Sequence, residues 1–352
     1  MSQISFQKTL LIGLGLIGGS FAKALRNANL SREIFAYDSD LESIDLAKND
    51  GVIKSGAGDF DLLEDEISNF DLIVIATPLA AYEEIFAEIG ERISSKTIVI
   101  DLGSLKNFIG EILPDNLQKN FVACHPIAGS EQSGFENSQA DLFAGKKFII
   151  CKNAKTDLEV VKKVENLAKV IGCNVDFLEA QKHDEIYALV SHLPQFLSFL
   201  TKEFSPKNIE GEFLKKAFRL DDSDPEMWAD IFELNEENLE KFYLGFFDEL
   251  ERNVKLATVS HSVTTRRDLT ENSACSIDPN FLETNFAPIF FRAILVESYL
   301  QISEIKTFKT YAGSGFKDFT SITEILNHDP EKLSELIKKN QSKILKIFNS
   351  LS

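Results

Sequence analysis

Residues 8–18 read Lys8-Thr9-Leu10-Leu11-Ile12-Gly13-Leu14-Gly15-Leu16-Ile17-Gly18, and this stretch decides the fold. Residues 8–12 predict a short buried strand, the glycines a turn, and Ser20 to Asn27 a helix. A strand, a glycine turn and a helix in that order form a cradle for phosphate. Gly13 permits the tight turn, Gly15 lets the backbone approach a pyrophosphate, and Gly18 permits close helix packing. The helix start, at Leu16 and Ile17, adds N–H donors and the positive end of a dipole. Such a motif alone is weak, because glycine turns also serve purely structural ends. Here a second strand, Glu33 to Tyr37, ends at Asp38, 20 residues past Gly18. A carboxylate there accepts hydrogen bonds from ribose hydroxyls and repels a ribose phosphate, which favours NAD over NADP.

Working outward, the pattern predicts a helix at Leu41 to Asn49 and strands at Leu72 to Ala76, Thr97 to Asp101, Phe121 to Cys124 and Lys147 to Cys151. A helix at Asp157 to Ile171 and a strand at Asn174 to Leu178 follow, and from about His183 the sequence is helical. The alternation implies an α/β fold, a Rossmann-type doubly wound parallel sheet followed by an all-helical domain. The domains expected are 1–180 (NAD-binding), 181–258 (helical, substrate and dimerisation), a Ser-, Thr- and Asn-rich linker at 259–285, and a second helical unit at 286–352. The helical part carries an internal echo: Asp224-Pro225-Glu226 recurs 105 residues on as Asp329-Pro330-Glu331. The same offset maps Asn235 onto Asn340 and Ala188 onto Ala293, which suggests a tandem duplicate of the helical unit. Chance matching of two amphipathic helices is the alternative.

Composition narrows the function. The 352 residues suffice for about two domains, and 37 Lys+Arg against 55 Asp+Glu give a net charge of −18, a field that repels nucleic acid and anionic lipid. No membrane partner is expected either, since the uncharged run at Thr9 to Ala22 is too short for the ~20 residues of a membrane helix. Cys124, Cys151, Cys173 and Cys275 form no CxxC pair and no metal-ligand spacing with histidine, so the expectation is no metal and reduced thiols in a cytoplasm.

Candidate chemistry gathers at strand ends, where ligands bind in such sheets. Thr77 and Pro78 follow one strand and point to the cofactor, although a proline there also simply ends a strand. Ser104, in Asp101-Leu102-Gly103-Ser104-Leu105-Lys106, and His125, in His125-Pro126-Ile127-Ala128-Gly129-Ser130-Glu131, follow two others. A histidine takes a hydroxyl proton while a hydride leaves the same carbon, and a serine beside it orients either partner. His192 sits at the edge of an apolar stripe in a helix that Pro194 should bend, either as a pocket wall or as a satisfied core histidine. Arg219, just ahead of a helix expected from Pro225, is either salt-bridged or a clamp for a substrate carboxylate.

Together these segments resemble the prephenate/arogenate (cyclohexadienyl) dehydrogenase family: GLGLIGGS at 13–20, DLGSLK at 101–106, HPIAGSEQSG at 125–134, HDEIYALVSHLP at 183–194 and SDPEMWADIF at 223–232. The resemblance spans about residues 8–250. It implies a Rossmann domain joined to a helical domain that dimerises, with the site between them, and an NAD-dependent oxidative decarboxylation in tyrosine biosynthesis. His125 would be the base for the ring hydroxyl and Ser104 would orient it. Ser130 and Glu131 would line the pocket, His192 would contact substrate and Arg219 would bind a carboxylate. The substrate is expected to be prephenate, with arogenate as the alternative. A catalytically inactive NAD-binding regulatory protein is the alternative from another class. A β-hydroxyacid dehydrogenase would rely on a helical-domain lysine, and no such motif stands out.

One departure concerns the segment before Arg219. The family's glycine-rich GFKDFTRIA pattern is lost there, and its glycines and aspartate return in Gly313-Ser314-Gly315-Phe316-Lys317-Asp318, with Ser321 where the arginine would be. The resemblance implies a homodimer. The displaced motif suggests instead a monomeric pseudo-dimer, in which the C-terminal third plays the partner. The alternative to that is a mere extension of the helical domain.

Overall fold

The computed structural model describes residues 6–129, 132–207, 209, 212–260, 279–323 and 330–351. In chain order its elements begin β1 (Phe6–Ile12), α1 (Leu16–Asn27), β2 (Ser31–Tyr37), α2 (Leu41–Asn49), β3 (Ser55–Ala57), β4 (Leu72–Ile75), α3 (Tyr82–Gly90) and β5 (Ile98–Asp101). There follow α4 (Ile109–Ile112), β6 (Phe121–Pro126), β7 (Lys147–Cys151), α5 (Leu158–Val170), β8 (Asn174–Phe177), α6 (Ala180–Tyr187), α7 (Leu193–Thr201) and α8 (Glu212–Ala217). The last are α9 (Pro225–Leu234), α10 (Glu236–Ser260), α11 (Pro279–Leu300), α12 (Ile305–Phe308), α13 (Ser314–Ser321) and α14 (Pro330–Leu351). Contacts divide the chain into Met1–Glu185 with Pro225–Asn235, and Ile186–Asp224 with Glu236–Ser352. The division falls inside α6 rather than at 180, it returns α9 to the first unit, and it makes one unit of the two helical segments expected at 181–258 and 286–352.

The first unit is built on an eight-stranded sheet of order β3-β2-β1-β4-β5-β6-β7-β8. Strands β4 and β5 are buried along their whole length, as near-continuous Ile/Val/Leu runs must be when both faces of a parallel sheet are covered. The order reverses at β1, between β2 and β4, which is the topological switch point where such sheets bind ligands. The expected all-parallel sheet needs one correction: β7 runs antiparallel to β6, with His125 opposite Ile149. Among the described residues of the connection between them, 127–146, the helical structure is one 3₁₀ turn at Phe135–Asn137. With no crossover helix to carry the chain back to the start of β6, the next strand enters from the opposite end. That connection docks on α1 instead, where Gln139 N–H donates to Ser20 Oγ at 2.9 Å and Lys23 Nζ to Ser138 O at 3.1 Å. A Cβ on Gly19 would come within 2.7 Å of the Phe135 ring, so the fourth glycine of the motif serves this packing.

The second unit is helical. In α11, side chains on every side from Ile289 to Tyr299 are buried, including Arg292, Glu297 and Ser298. A helix enclosed all round needs neighbours on all its faces, and α10 and α14 pack directly against it. The bend expected at Pro194 takes the form of a π-helical turn at Ala188–His192 running into α7. Proline lacks the N–H that would continue the α-helical ladder, and a wider turn absorbs the mismatch. Among the described residues no helix is long and apolar enough to cross a membrane.

Candidate active site

The carboxyl ends of five adjacent parallel strands, β2, β1, β4, β5 and β6, lie along one edge of the sheet. At about 4.8 Å per strand this edge spans roughly 19 Å, and it presents in order Asp38, the glycine turn, Thr77, Ser104 and His125. The turn is pinned by its neighbours: Gly13 N–H donates to Tyr37 O at 2.8 Å and Ala76 N–H to Ile12 O at 2.7 Å. Asp38 Oδ2 accepts from Leu14 N–H at 2.5 Å and its Oδ1 from Asp40 N–H at 2.8 Å, so the carboxylate is held beside the turn.

Three glycines do three jobs. Gly13 has φ +98°, and a Cβ on it would sit 2.5 Å from Ala76 O; on Gly18 a Cβ would sit 2.0 Å from Gly13 O. Both are required by the protein's own packing. A Cβ on Gly15 would meet nothing within 4 Å, and its φ of −65° suits any residue, so the packing of the described residues does not require a glycine there. Gly15 also caps α1 with no side-chain hydrogen bond to the helix start at Leu16 and Ile17. Close by, Thr77 Oγ1 is the one buried side-chain polar atom among the described residues without a hydrogen-bond partner. An open cradle at a helix N-terminus, with a carboxylate on one side of it and an orphaned hydroxyl on the other, fits a dinucleotide. Pro78, exposed, opens the 3₁₀ turn Leu79–Ala81 that follows Thr77.

At the other end of the edge stands a chain of hydrogen bonds. His125 Nδ1 lies 2.9 Å from His183 Nε2, and His183 Nδ1 lies 2.7 Å from Asp184 Oδ1. Asp184 Oδ1 also accepts from Lys106 N–H at 2.9 Å, and its Oδ2 from Asn107 N–H at 2.8 Å, which ties the loop bearing Ser104 to the same carboxylate. His183 is completely buried, and that burial, helped by the positive charge of Lys106, holds its pKa well below the usual 6.5. It is therefore neutral at pH 7, and the arrangement fixes the protons. Asp184 accepts, so His183 carries its proton on Nδ1 and presents a bare Nε2; His125 must then donate from Nδ1, which leaves its own Nε2 as the basic nitrogen. Ser104 is half-buried on the loop after β5, the strand next to β6, so the structure brings it and His125 to the same part of the edge.

Beneath that loop Lys106 Nζ and Asp101 form an ion pair with both side chains fully buried. Asp101 also accepts from Tyr82 Oη at 3.1 Å, Gly103 N–H at 3.0 Å and Cys124 N–H at 3.0 Å. Burial pushes the Asp101 carboxyl up, and the Lys106 ammonium and the Cys124 and Gly103 N–H donors act against it. Sequence reasoning marks residues 101–106 and 183–195 as polar segments but gives no role to His183, Asp184 or this pair. The usable signals were the adjacent His-Asp of residues 183–184 and the Asp and Lys flanking Gly103-Ser104.

The remaining candidates lie in the second unit, apart from two. Ser130 and Glu131 fall outside the described residues. His192 is buried in the π-helical turn, where Tyr299 Oη donates to Leu189 O at 2.8 Å. Arg219 opens a 3₁₀ turn ahead of α9, and its Nε and Nη2 both reach Asp318 Oδ2 at 2.9 Å, with about a quarter of each side chain exposed. Of the two readings of Arg219, the salt bridge is therefore present, and its partner comes from the displaced GSGFKD segment.

A glycine cradle, an acidic strand end and a histidine hydrogen-bonded through His183 to Asp184, all along one sheet edge, suit a dinucleotide-dependent dehydrogenase. A family model for the nucleotide-binding domain of prephenate dehydrogenase matches residues 21–177, and one for its dimerization domain matches residues 179–262. The chain belongs to the prephenate dehydrogenase family. It is 30% identical over 262 residues to the prephenate dehydrogenase of Bacillus subtilis, covering 70% of this chain and 67% of that one. It is 27% identical over 238 residues to the cyclohexadienyl dehydrogenase of Zymomonas mobilis, covering 64% of this chain and 80% of that one. The crystal structure of prephenate dehydrogenase from A. aeolicus in complex with hydroxyphenyl propionate and NAD+ is 33% identical, with a TM-score of 0.67 over 74% of this chain and 93% of that one.

Proposed function

We propose that the protein is an NAD-dependent prephenate dehydrogenase, converting prephenate to 4-hydroxyphenylpyruvate with release of carbon dioxide. The observation that carries this reading is the Asp184–His183–His125 chain, which orients the His125 imidazole at the far end of a dinucleotide edge from Asp38. Gly15, the start of α1, Asp38 and Thr77 hold the cofactor, whose chemistry is to accept the hydride.

His125 Nε2 takes the proton of the ring hydroxyl as that carbon loses its hydride, and Ser104 orients the hydroxyl. Loss of the ring carboxylate as carbon dioxide leaves a phenolate, to which His125 returns the same proton. Prephenate and NAD+ thus give hydroxyphenylpyruvate, carbon dioxide and NADH with no net proton, and the aromatic ring makes the step irreversible. His192 contacts substrate and Arg219 binds one of its carboxylates, roles that rest on the family resemblance. For a dianionic substrate and a chain of net charge −18, local cations such as Arg219 must supply the attraction. The place of work is the cytoplasm, supported by the buried free thiols of Cys124, Cys151 and Cys173.

NADH formation by the purified chain with NAD and prephenate, arogenate or neither tests this. Turnover with prephenate is the expected result. Faster turnover with arogenate would replace the substrate, and NAD binding without turnover on either would replace the enzyme with an NAD-binding regulator.

A further inference from the structure

The match to a dimerization domain ends at residue 262, close to the end of α10, yet helices continue to residue 351. What those later helices do is visible in the second unit. Arg292 of α11 is buried and its Nη2 lies 2.5 Å from Asp221 Oδ1, while its Nη1 donates to Ser198 Oγ at 3.0 Å. Its guanidinium lies 4.7 Å from the centre of the Phe218 ring. Ser298 and Tyr299 of the same helix bond to Asn253 of α10 and to the π-helical turn. The part of the unit before residue 262 and the part after it are therefore joined through buried polar contacts as well as apolar packing.

The order of elements repeats too. At the offset of 105 residues, α9, which starts at Pro225, corresponds to α14, which starts at Pro330, and α8 overlaps α13; the π-helical turn falls on α11, and α7 falls on residues 298–306, across the end of α11 and the start of α12. In the first segment Arg219 remains without the aspartate of its family pattern, and in the second Asp318 remains without the arginine. The structure pairs these two survivors with each other. Among the described residues, the exposed large apolar side chains of this unit are Leu244 and Leu256, both on α10. Single exposed side chains of that kind are ordinary surface.

We infer that α11–α14 are a second, in-chain copy of the dimerization helices, which occupies the place of a partner subunit and supplies Asp318 to position Arg219. The chain is then complete as a monomer. Asp318 acts as a positioning residue: both donors on one edge of the guanidinium are fixed on Oδ2, which sets the plane in which Arg219 meets a substrate carboxylate. This last role rests on the assignment of Arg219 to the substrate made above, whereas the monomer does not.

Two measurements on the full chain test it. Sedimentation equilibrium from about 1 to 100 µM should give a single species at the chain mass of 39.5 kDa. A species of twice that mass would overturn the inference. Asp318→Asn should raise KM for the substrate about tenfold with kcat changed less than about twofold, and Asp318→Glu should recover most of the loss. An unchanged KM in Asp318→Asn would remove Asp318 from the positioning role. If the chain turns over neither substrate, that failure belongs to the functional reading, and the mass alone decides the inference.

Discussion

Two buried ion pairs, one in each unit, show how differently the halves of this molecule are assembled. Asp101–Lys106 joins residues 5 apart across the loop after β5, whereas Asp221–Arg292 joins residues 71 apart on separate helices. In the first unit, parallel strands deliver short local segments such as Asp101–Lys106 to a common edge, while the His183-Asp184 contacts to that edge, with His125 and Lys106, reach across 58 and 78 residues. In the second, Asp221–Arg292 and Arg219–Asp318 join segments 71 and 99 residues apart, and a local motif gives only half of each.

The sharpest way to break the comparison is to remove the cation from each pair. Lys106→Met and Arg292→Met should each cost about 3–5 kcal/mol, because each strands a buried carboxylate. Equilibrium unfolding in urea checks this, and a loss below about 1 kcal/mol in either would show that the pair is not integral to its unit. Next in size is the relay. His183→Asn should lower kcat about 10²-fold with the Kd for NAD unchanged, since His125 loses the acceptor that sets its proton. Steady-state kinetics beside a binding titration separates those two quantities.

Smaller effects divide the glycines. Gly13→Ala should destabilise the chain by about 1–3 kcal/mol, from its positive φ and the approach of Ala76 O. Gly15→Ala should change stability by less than about 0.5 kcal/mol and weaken NAD binding about tenfold or more. Thermal unfolding and a titration with NAD on the same samples distinguish the two. The smallest effect concerns pH. His183 has a lowered pKa when folded, so below about pH 6.5 the unfolded chain binds a proton that the folded chain refuses. Stability should fall with decreasing pH in that window, by at most about 1.4 kcal/mol per unit from this group, and His183→Asn should remove that contribution.

The particular residues show why legibility differed. Gly13, Gly15, Gly18 and Asp38 were readable because turn, helix start and strand end are adjacent in sequence, and the structure sets Asp38 against Leu14. Helix α3 was missed although Tyr82, Ile85, Phe86 and Ile89 follow a helical period; its nine residues sit between strands whose apolar runs are stronger. Strand β3, only Ser55–Ala57, has no apolar pattern, and it exists because β2 offers it an edge. The antiparallel β7 was illegible because a strand's direction is set by the path of its connection and not by its residues. His183 looked like the start of a helix, and its pairing with His125, 58 residues earlier, follows from the fold. Arg219 and Asp318, 99 residues apart, were each visible as fragments of one motif, and their meeting was suggested by the repeat.

The central claim is that His125 is the base of an NAD-dependent oxidation, and His125→Asn tests it most directly. NADH formation with prephenate should fall by at least about 10²-fold while NAD still binds as tightly as to the unaltered chain. An unchanged rate in His125→Asn, with NAD bound, would contradict the account.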